Sequence, residues 1–207
     1  MTIVLNSSTG ITTPPVSVQG STSGTITLVA PAVAGDNTQT LAAATGTLVP
    51  FNTDTAKTAP PTVPQYFDFT GIPPWVRRIT VMFSGVSTSG TSIPIIQLGD
   101  SGGIEITGYV STGSRVASAT AASSAVTAGF AIGNVATATA ILDGSITLSL
   151  FGANRWVAFG GLTDSFNTFT LFSSGGKTLS DTLTQIRITT VGGSDTFDAG
   201  SINLLYE

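Results

Sequence analysis

The sequence predicts an all-β fold: an extended N-terminal arm with short strands, followed by an antiparallel, jelly-roll-like β-sandwich. Three observations predict it. Short stretches alternate between apolar and hydroxyl-bearing residues with a period of two, which is typical of half-buried strands. Glycine, asparagine and aspartate separate these stretches, and 24 of the 207 residues are glycine. No stretch shows the 3.6-residue period of an amphipathic helix.

The arm is the range 1–50, and its first 35 residues contain no charged residue. Thr/apolar alternation predicts a short strand at 24–29, with further short strands at 38–41 and 46–49. Few large apolar residues are present, so the arm cannot bury enough surface to offset the entropy lost on ordering. We expect it to be held by the rest of the chain, by sister chains or by a neighbouring protein.

Residues 51–64 are predicted to be a linker, because Pro60, Pro61 and Pro64 favour a stiff, extended path. Residues 65–207 are predicted to form the β-sandwich domain. Its expected strands lie at 66–69, 79–83, 93–98, 104–106, 146–150, 156–159, 169–172, 186–190 and 202–206. The Ala/Ser/Thr-rich stretch that begins at residue 115 predicts a long loop, followed by a strand near 130–139.

The low charge content predicts an assembled protein. Charged residues make up 9% of the chain, against roughly 25% in ordinary soluble domains. A monomer normally intersperses charges over its surface, so we expect much of this surface to lie against other subunits. The net charge of −4 disfavours nucleic-acid binding, which needs clustered basic residues. There is no apolar run of the roughly 20 residues needed to span a membrane, and no secretory signal is expected.

The chain contains neither histidine nor cysteine. This excludes Ser-His-Asp and Cys-His catalysis, histidine-ligated zinc and thiolate metal sites. We therefore expect no enzymatic activity, no catalytic residue, no cofactor and no metal site. A calcium site built from aspartate remains open, but no regular ligand spacing identifies its residues.

The run Gly99-Asp100-Ser101-Gly102-Gly103 matches the signature around the nucleophilic serine of trypsin-like proteases. That serine needs a histidine to accept its proton, and this chain has none. Asp100-Ser101-Gly102 also matches the loop of aspartic proteases, but the companion hydrophobic-hydrophobic-glycine pattern is not evident. The run is better explained as a turn between strands that end at Leu98 and begin at Ile104.

Two further motifs have competing interpretations. Gly175-Gly176-Lys177-Thr178 is a partial match to a phosphate-binding loop, and a hairpin turn explains it better. The tryptophans and tyrosines suit either a sugar-stacking surface or core packing; they are Tyr66, Trp75, Tyr109, Trp156 and Tyr206. Trp75 follows Pro73-Pro74, so we expect it on a loop, and it is the candidate ligand-contacting residue.

Several runs resemble known virion proteins of tailed bacteriophages. In the arm these are GTITLVAP (24–31), AGDNTQTL (34–41) and ATGTL (44–48), which resemble a module of phage fibre proteins. Such modules often carry proline after Thr-Leu, where this chain has Ala42. In the second region the runs are FTGIP (69–73), RITVMF (78–83), IQLGDSGGIE (96–105) and DAGSIN (198–203).

The resemblance implies a virion structural protein, assembled in the host cytoplasm, of the capsid decoration, head-fibre or tail-fibre type. It implies a trimer whose N-terminal arm attaches to major capsid or tail proteins and whose β-sandwich is displayed. The alternative is a receptor- or carbohydrate-binding fibre tip that contacts host surface glycans. Neither a nucleic acid nor a membrane is an expected partner.

Overall fold

The computed structural model describes residues 64–135 and 137–207, together with four short strands at 16–19, 25–28, 52–53 and 57–58. The chain divides into two compact units, Met1–Thr47 and Leu48–Glu207. In the first unit, β1 (Val16–Gln19) pairs antiparallel with β2 (Thr25–Leu28). Strand β2 confirms the strand expected at 24–29, whereas the strands expected at 38–41 and 46–49 lie outside the described residues.

The second unit is built from antiparallel strands, and its described residues contain no helix. Two of its strands fall within the range 51–64 that was expected to be a linker. The strands are β3 (Asn52–Thr53), β4 (Lys57–Thr58), β5 (Phe67–Thr70), β6 (Arg78–Thr88), β7 (Pro94–Asp100), β8 (Gly103–Ile104), β9 (Val110–Val116), β10 (Ala121–Val126), β11 (Phe130–Ala131), β12 (Leu142–Gly152), β13 (Arg155–Asp164), β14 (Phe169–Thr178), β15 (Gln185–Thr190) and β16 (Phe197–Tyr206).

The described strands of this unit form two sheets. The large sheet has nine strands in the order β10-β9-β14-β13-β12-β6-β16-β3, with β4 also paired to β16. The small sheet has five strands in the order β11-β7-β15-β5, with β8 paired to β7. The longest strands, β6 and β12, pair with each other and lie in the large sheet.

Apolar side chains from both sheets meet in one core. On the large sheet the alternating positions Ile79, Val81, Ile146 and Leu148 are buried. They belong to the same cluster as Phe69, Leu98, Ile186 and Ile188 of the small sheet. Because the strands alternate their side chains, the other face of each sheet points away from this core. The all-β sandwich class predicted from the sequence is confirmed.

The turn interpretation of residues 99–103 is also confirmed. Strands β7 and β8 pair antiparallel, Gly99 with Ile104 and Asp100 with Gly103, which leaves Ser101 and Gly102 at the tip. Gly103 has a φ of +119°, a backbone angle that residues other than glycine rarely adopt. The glycine pair therefore serves the geometry of a tight hairpin.

The prediction of a long loop from residue 115 was wrong. Strands β9 and β10 form a regular hairpin there. It has six residue pairs, which run from Ser111 opposite Val126 to Val116 opposite Ala121. Its turn is closed by a 2.8 Å hydrogen bond that the amide of Ala117 donates to the carbonyl of Thr120. Small residues leave the strand signal of this segment weak, and pairing with β14 through β9 supplies the stability that the sequence does not show.

The prediction of a hairpin turn at 175–178 was also wrong, because these residues continue β14. A Cβ on Gly175 would lie 2.6 Å from the carbonyl oxygen of Val110. Glycine is thus required here for the close approach of β9 to β14, and not for a reversal of the chain.

A charge-free outer face as the candidate functional surface

The protease-like motif forms a buried hydrogen-bonded corner. Asp100 is 3% exposed, and its carboxylate accepts hydrogen bonds from the amide of Gly102 at 2.8 Å and from the hydroxyl of Ser180 at 2.6 Å. The Ser180 and Gly102 hydrogen bonds lower the pKa of Asp100. Ser101 itself lies exposed at the hairpin tip. The motif therefore fixes the hairpin, and its serine has no basic neighbour of the kind the protease needs.

Glu105 and Lys177 complete this corner. The buried ammonium of Lys177 forms an ion pair with Glu105 and donates to the carbonyl of Thr107 at 2.9 Å. Ser180 lies against the other carboxylate oxygen of Glu105, with its amide at 2.7 Å and its hydroxyl at 2.9 Å. Because Lys177 pairs with Glu105 and hydrogen bonds hold Asp100, we interpret the cluster as a structural fastening between β14 and the β7–β8 hairpin.

The five aromatic residues considered for sugar stacking do not form one exposed surface. Trp156 and Tyr109 are buried in the core, and burial raises the pKa of the Tyr109 hydroxyl. Trp75 lies in a turn, as expected, but is half-buried against the core, with its ring centroid 6.0 Å from that of Tyr206. The sequence could not distinguish these environments, because each aromatic residue suits either one.

Tyr66 belongs to a groove on the outer side of the small sheet. The groove has a volume of about 450 Å³ and includes Tyr66, Gln97 and Arg187. The guanidinium of Arg187 lies 4.0 Å from the centroid of the Tyr66 ring and binds Asp68 through two hydrogen bonds of 2.7 Å. Asp68 raises the pKa of Arg187. The groove thus combines an aromatic ring with polar groups whose charges cancel.

Across seven of its nine strands, the outer face of the large sheet carries two rows of residues without a charge. The register places these residues side by side across the seven strands from β10 to β16. None of them is buried. The first row is Ser123, Ser114, Phe172, Gly161, Ser145, Met82 and Asn203, and the second row is Ala125, Thr112, Ser174, Phe159, Thr147, Thr80 and Leu205. We call these fourteen residues the charge-free band.

Two phenylalanines stand in the middle of the charge-free band. Phe159 is 69% exposed and Phe172 is 44% exposed. Phe172 pairs with Gly161, and its ring lies 3.8 Å from the position that a Cβ on Gly161 would occupy. An exposed aromatic pair amid uncharged residues is unusual for a free surface and typical of the centre of an interface.

A depression lies in the same face beside Phe159. It has a volume of about 150 Å³ and is lined by Thr80, Thr147, Leu205, Arg78 and Glu207. Arg78 and Glu207 form an ion pair at its rim. Thr147, which lines the depression, is the direct cross-strand partner of Phe159. The exposed ring of Phe159 and the depression therefore lie next to each other on this face.

Sequence reasoning missed this face. The alternation of Ser145, Thr147 and Ser149 with apolar residues did indicate an exposed side of β12. Phe159 and Phe172, however, have the residue type of core positions, and only their pairing shows that they point outward. One sequence signal for an outward orientation was available. Phe159 lies two positions before Gly161, and Phe172 lies two positions before Ser174, so each shares its side of the strand with a small residue.

No known protein family, curated protein or solved structure was found to match this chain. Among the described residues, no group of three or more acidic side chains is placed to hold a metal ion. In the same part of the chain there is no helix long and apolar enough to cross a membrane.

Proposed function

We propose that this chain is a non-enzymatic structural protein of a bacteriophage particle, of the capsid decoration, head-fibre or tail-fibre type. The charge-free band on the outer face of the large sheet is the observation that supports this proposal. A surface with exposed phenylalanines and no charge is suited to burial in an assembly. The band is also built on long paired strands, which suits a repeated structural unit better than a catalytic site.

The proposed division of labour follows from the two units of the chain. The N-terminal arm, residues 1–50, attaches the protein to major capsid or tail proteins. The β-sandwich forms a trimer and is displayed in the virion. The resemblance of the arm to modules of phage fibre proteins supports this assignment, as does the absence of charge from its first 35 residues.

The arm can be tested on particles. Full-length chain and a truncated chain of residues 51–207 are each supplied to particles that lack the protein, and the amount retained after purification is measured by quantitative mass spectrometry. We expect the full-length chain to be retained and the truncated chain to fold but be lost. Equal retention of both would refute the anchoring role, and absence of the chain from wild-type particles would refute the virion assignment.

The groove over the small sheet favours a second candidate function, a receptor- or carbohydrate-binding fibre tip. An aromatic ring beside planar polar side chains suits a hydroxyl-rich ligand such as a host glycan, and a volume of about 450 Å³ lies within the usual range of ligand sites. Full-length protein applied to a glycan array would test it. Loss of binding in Tyr66→Ala with binding kept in Trp75→Ala assigns the groove, and the reverse assigns Trp75.

A further inference from the structure

We propose that the groove over the small sheet binds a neutral saccharide, and that the ion pair between Asp68 and Arg187 disfavours acidic sugars there. This assignment rests on the second candidate function, the glycan-binding fibre tip. It deepens that function by naming the charge class of the ligand and the residues that decide it.

Three polar side chains lie in one row on the outer side of the small sheet. Arg187 of β15 pairs with Asp68 of β5 on one side and with Gln97 of β7 on the other. Neighbouring strands are about 4.8 Å apart, so a carboxylate, a guanidinium and an amide follow one another over about 10 Å. A row of this kind can contact several hydroxyl groups of one ligand at the same time.

Gln97 presents an oriented hydrogen-bonding group to the groove. It is 6% exposed, and its side-chain nitrogen donates a 2.9 Å hydrogen bond to the carbonyl of Ala128. This bond fixes the orientation of the side-chain amide, and among the described residues none donates to its carbonyl oxygen, Oε1. Because a largely buried acceptor is costly to leave unpaired, Gln97 favours a ligand that brings a hydroxyl donor.

Arg187 keeps N–H donors available although its charge is paired. Its Nε and Nη2 atoms each donate a 2.7 Å hydrogen bond to the carboxylate of Asp68. A guanidinium has five N–H groups, so the edge formed by Nε and Nη2 is occupied while the remaining N–H groups can donate to hydroxyl oxygens. A carboxylate or sulfate on a sugar would approach the negative charge of Asp68, which opposes its binding.

Tyr66 and Ile106 supply apolar surface for the ring of a sugar. Both line the groove, and they are 48% and 62% exposed. The guanidinium of Arg187 lies 4.0 Å from the centroid of the Tyr66 ring, which restrains the ring. Apolar surface beside a few oriented polar groups is the usual composition of a small-ligand site. A ligand without hydroxyl groups would leave the polar row unpaired.

The charge of the chain also favours a neutral ligand. The net charge is −4, which repels anions. Among the described residues that line the groove, Arg187 is the one with a charge, and Asp68 already pairs with it. The groove therefore offers neither an unpaired cation to an acidic sugar nor an unpaired anion to an amine.

The test uses full-length protein on a glycan array of matched pairs, in which each neutral glycan is accompanied by the same core with one carboxylate or sulfate group. We expect binding to neutral glycans, and binding to their acidic counterparts that is weaker by roughly tenfold. Tyr66→Ala should abolish binding, whereas Tyr66→Phe, which keeps the ring, should retain it. Both substitutions are at an exposed position, where they leave the core unchanged.

Asp68→Asn tests the role of the ion pair. It keeps the size of the side chain but leaves Arg187 with an unpaired positive charge. We expect the affinity for acidic glycans to rise by roughly tenfold, the effect of one hydrogen bond between charged groups, and the affinity for neutral glycans to change much less. The control is Asp198→Asn, which makes the same change in net charge at an exposed position outside the groove and should leave both affinities unchanged.

The possible outcomes separate this proposal from the function on which it rests. Equal or stronger binding of acidic glycans by the wild type, or no gain specific to Asp68→Asn, overturns the proposal and leaves glycan binding standing. Binding that is lost in Trp75→Ala and kept in Tyr66→Ala also overturns it, because the site then lies elsewhere. If no glycan of either kind binds, the proposal and the second candidate function both fail.

Discussion

The ammonium of Lys177 on strand β14 forms an ion pair with the carboxylate of Glu105, which follows strand β8. Burial acts to raise the pKa of Glu105, but this ion pair and the hydrogen bonds from Ser180 outweigh it and hold the pKa below its ordinary value. The pair is therefore a source of pH-dependent stability in the sheet corner that also contains the protease-like run 99–103.

Glu105→Gln should reduce this pH dependence. A carboxyl group whose pKa is lower in the folded state contributes its stability above the unfolded value of about 4.3, and loses it as the pH falls through the folded pKa. The free energies of unfolding of wild type and variant should thus differ most near pH 7 and converge only as the pH falls below the lowered pKa of Glu105 in the folded state. Urea titrations across this range measure the difference. Asp198→Asn, which removes an exposed carboxylate, should show a small difference throughout; a constant gap for Glu105→Gln would contradict the pKa argument.

Lys177→Met should destabilise the protein, as should Glu105→Gln, because each removes one side of a mostly buried ion pair. Only 6% of the Lys177 side chain is exposed, and its removal leaves Glu105 partly buried without its cation. Breaking one side of a buried pair costs about 3 kcal/mol. In the double variant with Glu105→Gln, no uncompensated charge remains, so part of the loss should be recovered. Chemical denaturation of the wild type, the two single variants and the double variant gives the coupling energy. Purely additive effects would show that Lys177 and Glu105 contribute to stability independently of each other.

Gly113→Ala should destabilise the β-sandwich. A Cβ on Gly113 of β9 would overlap the carbonyl oxygen of Gly133, which belongs to backbone and cannot rotate away. Overpacking of this kind costs about 1–3 kcal/mol, visible as a lower melting temperature. Gly161→Ala is the control, because its nearest contact would be an ordinary 3.5 Å. If both variants melt at the same temperature, the close approach at Gly113 does not limit the stability of the domain.

Thr190→Val should be neutral or stabilising. The hydroxyl of Thr190 is buried and has no hydrogen-bond partner among the described residues. Valine has nearly the same shape and removes an unsatisfied polar group, which is worth about 1 kcal/mol or more. Thr189→Val is the matched comparison, because the Thr189 hydroxyl donates a 3.0 Å hydrogen bond to the carbonyl of Gln65 and its loss should destabilise. Equal effects of the two substitutions would argue for a missed partner at Thr190.

Strands with strong alternation were predictable, and strands without it were not. Ile79, Val81 and Phe83 alternate with polar or less buried residues, and β6 lies where that pattern placed it. The segment Ala121–Val126 has no such pattern, since its residues are small on both faces. It becomes a strand because β9 provides backbone partners and because Val126 packs with Ile95. Pairing with a distant strand leaves no local trace in the sequence.

The sequence by itself determined the all-β class, the turn at residues 99–103 and the lack of histidine in the protease-like motif, because each depends on local pattern or on residue type alone. The charge-free band was decided by the tertiary structure. Its members come from seven strands spread between Thr80 and Leu205, and strand order and register bring them into two rows. A shift of one residue in any strand would turn that strand's band members into the core. Whether Phe159 lies in the core or on the outer face thus depends on which face of β13 meets the small sheet, and that is fixed by long-range packing.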